Sequence, residues 1–223
     1  MRVPDLLVPS SEPAIADRPA ARRRRRVVVA VTLVVGTVLL AATLRVPRGS
    51  LWFTVLGLLV AATWTVGSFV SGPIPFQPDR KVTWSTTVIG PVVAGVAAFV
   101  VFLAAYLVAR HLPLVGAALD GVLATADAGS ITVVLLVALL NGAGEELFFR
   151  GALHAALEPH RPAIATTIVY VVATAATGNV ALVIAAVVMG TLFSVERLST
   201  RGVLAPMLTH LTWTTLMVLA LPR

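Results

Sequence analysis

The sequence predicts an all-α, polytopic transmembrane helical bundle of about seven spans. Three observations carry that reading. Hydrophobic residues make up 58% of the 223-residue chain and charged residues only 12%, against about a quarter charged in an ordinary soluble domain. Mean hydropathy is +0.94. Apolar runs recur along the whole chain, separated by short breaks rich in Pro, Gly and Arg, and a run of five arginines at positions 22–26 stands directly before the first of them. A basic block in that place orients a membrane helix with its basic side toward the cytoplasm. The chain is therefore expected in the cell inner (plasma) membrane, multi-pass, with a cytoplasmic N-terminus.

Each element follows in order. Residues 1–26 hold Pro4, Pro9 and Pro19 among polar residues and end in the arginines, so they read as a disordered basic cytoplasmic tail. Residues 27–223 read as the bundle. The first span is 27–44, too long for a cleaved signal core. A turn at 45–50 leads to the second, 51–70, with Trp52 at an interface position. Pro73, Pro75 and Pro78 exclude a helix across the next loop. The third span is 86–109, with Pro91 near its start. Residues 114–129, with Asp120 and Asp127, read as an external loop or a short interfacial helix. One long helix is expected over 131–158. The fifth and sixth spans, 163–177 and 180–195, are short for the roughly 20 residues a crossing needs. Glu196, Arg197 and Arg201 read as a charged loop, and the last span is 203–221. Seven crossings put the 79–81, 160–161 and 197–201 charges on the same side as the arginine run.

Composition also narrows function. Without cysteine, disulfides and thiolate catalysis are excluded. The net charge of +7 does not point to nucleic acid, because no basic face interleaved with aromatics exists outside the arginine run.

The charges inside the long fourth helix are the anomaly. Glu145, Glu146 and Arg150 stand where lipid-spanning helices are normally bare, and intramembrane ionisable groups read as functional by default. Glu146, Arg150, His154 and Glu158 recur every four residues and share one side. Glu145 lies about 100° around from Glu146. One carboxylate can therefore face the bundle cavity while the other pairs with Arg150. The plainer reading is a structural ion pair between Glu146 and Arg150. His210 can likewise serve as a cross-helix hydrogen bond. Thr174 and Thr214 can bond to their own helices, Tyr170 reads more readily as packing than as chemistry, and His154, Glu158 and His160 read as interfacial.

The stretch Glu145-Glu146-Leu147-Phe148-Phe149-Arg150-Gly151 resembles the first motif of the CPBP family of intramembrane proteases, the CAAX protease 2, Abi or Rce1-like group. Leu204-Ala205-Pro206-Met207-Leu208-Thr209-His210 resembles the approach to its last motif. The resemblance covers about 130–219 and implies an Rce1-like catalytic core there. Two positions depart from it. Thr174 stands where the second motif, aromatic-x-x-x-His, has its histidine, and Thr214 stands where the last, His-x-x-x-Asn, has its asparagine.

The site implied by the resemblance is Glu145, Glu146, Arg150, His210, Thr174 and Thr214. Glu145 would activate water as general base, Arg150 would hold Glu146, and His210 would stabilise the oxyanion or ligate a metal. A zinc site wants three protein ligands and an open position. Glu145, Glu146 and His210 offer at most three, so no cofactor is expected and zinc is the alternative. The implied activity is glutamate-dependent endopeptidase cleavage of a membrane-anchored protein or peptide, with the lipid bilayer as the other partner and no nucleic acid. A family member that has lost catalysis and acts as a membrane binding or immunity protein is the second reading. A small proton-coupled transporter is the third, and it lacks the inverted repeats such proteins carry.

Overall fold

The computed structural model describes residues 19–47, 49–77, 82–111, 116–117, 119, 130–158 and 160–220. Among them are seven helices and no strand. They are α1 (Pro19–Thr43), α2 (Leu51–Ser71), α3 (Ser85–Ala109), α4 (Ile131–Leu157), α5 (Pro162–Ala175), α6 (Val180–Thr200) and α7 (Leu204–Ala220). The chain is a membrane bundle. Helices α1, α2, α3, α4 and α6 are long and apolar enough to cross a bilayer, whereas α5 and α7, at 14 and 17 residues, are shorter apolar helices.

Two boundaries differ from the expectation. The arginine run, expected in the tail, is the first turns of α1, which starts at Pro19. Proline suits the first helical turn, and arginine is a good helix former. Residues 1–18 lie outside the described residues, as do Asp120 and Asp127 and most of the 114–129 segment. The sixth span is not short: α6 continues to Thr200 and so takes in Glu196 and Arg197, which had been expected in a loop. Residues 192–200 contain no glycine or proline, so nothing stops the helix until Arg201, which closes it in the left-handed conformation at φ 58°. The turn at Gly178 and Asn179 is as expected. Gly178 takes φ 73°, and the Asn179 side chain caps α6 by accepting from Leu182 N.

Outward faces are apolar and the interior carries the polar groups. On α1, Val27, Val31, Val34 and Val38 are exposed along one stripe, while Val29, Thr32 and Gly36 are buried. This inversion suits a helix whose outer solvent is hydrocarbon. Between helices, lipid offers little hydrophobic drive, so close packing must do the joining. Small residues provide it. A Cβ on Gly57 of α2 would fall 2.7 Å from Val137 of α4, and one on Gly95 of α3 would fall 2.8 Å from the Thr209 carbonyl of α7.

Helix α4 is the centre. It packs against α1, α2, α5, α6 and α7, while α3 packs on α7. Its Phe148 and Phe149 are wholly buried against Trp64 of α2, with ring centroids 4.7 and 5.3 Å away, and Phe149 meets Tyr170 of α5 edge-on at 4.9 Å. One end of the bundle is tied by the arginine run. Arg25, buried, donates to the Pro73 carbonyl at 3.2 Å, and Arg26 donates to the Ala156 carbonyl near the end of α4 at 3.3 Å. Val203 N bonds the Pro75 carbonyl at 3.0 Å. The start of α1, the α2–α3 loop, the end of α4 and the start of α7 thus share one end, as alternating crossings require.

Trp64 of α2 is buried against α1 and α4, so Trp64→Ala is expected to cost about 3 kcal/mol or more. The check is the thermal midpoint of the purified protein in detergent, which should fall by several degrees. Trp64→Phe, which keeps most of the ring contact, should lie in between.

Candidate active site

The site is built on a change of helical pitch. Helix α4 is α-helical from Ile131 to Glu145, π-helical over Glu146–Leu153, and α-helical again for its last turn, His154–Leu157. Such π segments inside α-helices are frequent at functional sites. All eight π residues are buried. The expected single long helix is therefore present, but the wider turn re-aims its charged residues.

Glu146 is fully buried, and one of its oxygens, Oε1, does two jobs. Arg150 Nη1 donates to it at 3.2 Å, and His210 Nδ1 of α7 lies 3.0 Å from it. A carboxylate accepts, so the ring nitrogen facing it carries its proton. His210 is thus oriented by Glu146 rather than by Glu145. Its ring is stacked on Phe193 of α6 at 4.8 Å and is buried. The Nε2 edge faces Gly142, one turn before the glutamates: a Cβ placed there would sit 3.4 Å from Nε2. Gly142 therefore keeps the space beside that nitrogen free of side chain.

Arg150 is also fully buried and is held from several directions. Besides Glu146, it donates through Nη2 to the Gly190 carbonyl of α6 at 3.1 Å. Its guanidinium carbon lies 4.7 Å from the Tyr170 ring centre and 5.0 Å from that of Phe193. Cation–π contact with two rings compensates in part for lost hydration. Glycine at 190 allows this approach, since a Cβ there would lie 3.1 Å from Tyr170 and 3.4 Å from Arg150 Nη2. Arg197, expected on a surface loop, is instead buried and donates through Nε to the Arg150 carbonyl at 2.8 Å. It braces the π segment from α6.

Glu145 differs from its neighbour. It is only partly buried, and its Oε2 accepts a hydrogen bond from the Tyr170 hydroxyl at 3.0 Å. The division of labour between the two carboxylates read from their 100° offset is the arrangement observed: Glu146 takes the arginine. Thr174 is buried with its hydroxyl donating to the Tyr170 carbonyl at 2.9 Å, within its own helix. Thr214 is buried one turn beyond His210 on α7. His154 and Glu158 approach at 4.0 Å, with His154 buried rather than interfacial.

Three participants were missed in the sequence. Tyr170 read as packing, although it is the aromatic of the second motif. Arg197 was hidden by a misplaced helix end. Glu196 approaches Thr209, its Oε1 2.6 Å from the threonine hydroxyl, which also lies 2.9 Å from the Pro91 carbonyl. A charged residue just inside an apolar run's C-terminal end was the available signal for both α6 residues. Among the described residues no three His, Asp or Glu side chains are grouped as metal ligands; Glu146 Oε1 is engaged by Arg150 and His210, while its buried Oε2 has no hydrogen-bond partner among the same residues. Clefts of about 330 Å³ against Arg22, Arg23 and Arg26 and about 180 Å³ against Phe53 and Val134 lie away from these residues.

Breaking one partner of a fully buried ion pair leaves the other uncompensated, at about 3–5 kcal/mol. Arg150→Met is therefore expected to be severely destabilised, and Glu146→Gln added to it should restore part of the loss. Thermal midpoints of the two single variants and the double variant give the coupling. Additive losses would contradict the pairing.

Residues 127–216 match the family model described as type II CAAX prenyl endopeptidase Rce1-like. No curated protein and no solved structure matches the chain. The matched stretch takes in α4 to α7 except the last residues of α7, and so contains Glu145, Glu146, Arg150, Tyr170, Thr174, His210 and Thr214. Over residues 127–216 the chain carries an Rce1-like domain of the CPBP family.

Proposed function

We propose that the chain is an intramembrane endopeptidase that hydrolyses a peptide bond of a membrane-associated protein or peptide near the cytoplasmic face of the plasma membrane. The observation that carries this is the division between the two glutamates: Glu146 buried and committed to Arg150 and His210, Glu145 beside it partly open. A base needs an open face, and of the two carboxylates Glu145 is the one not fully enclosed by protein. Glu145 takes a proton from water as the oxygen attacks the scissile carbonyl. His210, its Nδ1 proton held by Glu146, presents Nε2; as imidazolium it donates there to the tetrahedral oxyanion, with Glu146 stabilising its charge. Glu145 then passes the proton to the leaving amine as the C–N bond breaks. The substrate enters from the bilayer, in keeping with the apolar outer faces of the helices. In this reading Thr214, one turn past His210, flanks the oxyanion with a weaker donor than the asparagine of the family motif.

One observation favours the second reading. The Thr174 hydroxyl is spent on its own helix backbone and offers no side chain to the site, as in a family member that binds a membrane partner without cutting it.

The deciding experiment is cleavage of a panel of membrane-tethered peptides by the reconstituted protein. Removing the general base should lower the rate about 10²–10⁴-fold in Glu145→Ala, and His210→Ala should show a comparable loss. Gly142→Ala should fold, since its methyl meets His210 at ordinary contact distance, yet it should slow cleavage by filling the space at Nε2. If wild type and both alanine variants behave alike, all folded, while an active relative cleaves the same panel, the endopeptidase reading fails.

A further inference from the structure

The second-motif position has lost its imidazole, and the structure shows what stands at the glutamate instead. Thr174 points its hydroxyl back at the Tyr170 carbonyl, 2.9 Å away. One turn earlier on the same helix, the Tyr170 hydroxyl donates to Glu145 Oε2 at 3.0 Å. We infer that Tyr170 is the positioning residue for Glu145, supplying from position 170 the side-chain contact with the base that position 174 does not provide. The inference rests on the role proposed for Glu145.

The phenol is fixed in place by contacts unrelated to its hydroxyl. The Arg150 guanidinium covers its ring at 4.7 Å, Phe149 meets it edge-on at 4.9 Å, and Gly190 leaves no side chain between the ring and α6. Arg150 is itself tied to Glu146 and to the Gly190 carbonyl. The two glutamates are therefore oriented by one connected set of groups: Arg150 grips Glu146 through its N–H and steadies, through the tyrosine ring, the donor that grips Glu145. A ring held on several sides loses little further freedom on making its hydrogen bond, so the bond fixes the carboxylate rather than following it. With Oε2 engaged, Oε1 is the oxygen left to take a proton from water. Phenylalanine at this position would keep every ring contact and lose only the donor.

Tyr170→Phe isolates that donor. Its thermal midpoint should stay close to wild type, because the stacking and edge contacts remain. In infrared difference spectra, the carboxyl band assigned to Glu145 by its disappearance in Glu145→Gln should shift in Tyr170→Phe. In the cleavage assay, kcat should fall about 10²-fold, the scale of a misplaced catalytic group, with KM unchanged. A Glu145 band that does not move overturns the inference whether or not the protein cleaves anything. Full kcat in Tyr170→Phe, where wild type is active, overturns it equally. Absence of cleavage by wild type would count against the endopeptidase reading alone, and the infrared band would still decide for or against Tyr170.

Discussion

The structure depends on one carboxylate oxygen. Glu146 Oε1 receives Arg150 from its own helix and His210 from α7, deep in a bundle whose outer surface is built for lipid. A lone carboxylate there would be prohibitively costly, and so would a lone guanidinium. Their mutual neutralisation, with aromatic rings around the arginine, lets both stay charged and buried. Much of the surrounding design follows from that constraint: glycine at 190 to admit the guanidinium, Arg197 to steady the carbonyl of Arg150, and a π segment whose wider turn places the pair toward α6 and α7.

The same constraint separates stability from chemistry. Because Glu146 takes both Arg150 and His210, Glu145 stays outside the ion pair and is only partly buried. Adjacent identical residues thereby acquire unlike environments, and under the proposed function one serves as brace and the other as base. His210 inherits its orientation from the brace, and its other nitrogen faces the clear space beside Gly142. The aromatic set of Trp64, Phe148, Phe149 and Tyr170 links this polar centre to α2 and α5, so the motif's two phenylalanines are packing residues that fix where the charged ones point.

Much of this was legible in the sequence. Apolar run lengths gave the helices, because hydrophobic segments of membrane length have few alternatives. The offset of Glu145 from Glu146 points to their unlike surroundings, because helical geometry alone requires it. What stayed hidden was of two kinds. Charge reads as a stop signal at the end of α6, whereas Arg197 is buried and donates to a backbone carbonyl that only tertiary structure brings near. The start of α1 was misread for the same reason, since Arg25 is drawn into the bundle by the Pro73 carbonyl. The partners of His210 and Tyr170 lie on other helices, His210 meeting Glu146 and Tyr170 meeting Glu145, and only tertiary packing brings them together. The family resemblance implies that His210 faces the glutamates, but not which one it meets.

The claim on which everything else rests is that His210 is held through Nδ1 by Glu146. Nitrogen nuclear magnetic resonance of the protein in lipid, with ¹⁵N-labelled histidine and His210 assigned through its alanine variant, tests it directly. The account predicts a protonated Nδ1 whose proton is strongly deshielded by a carboxylate acceptor, and loss of that signature in Glu146→Gln but not in Glu145→Gln. A His210 ring protonated only at Nε2, or an Nδ1 signal that follows Glu145 instead, would contradict it.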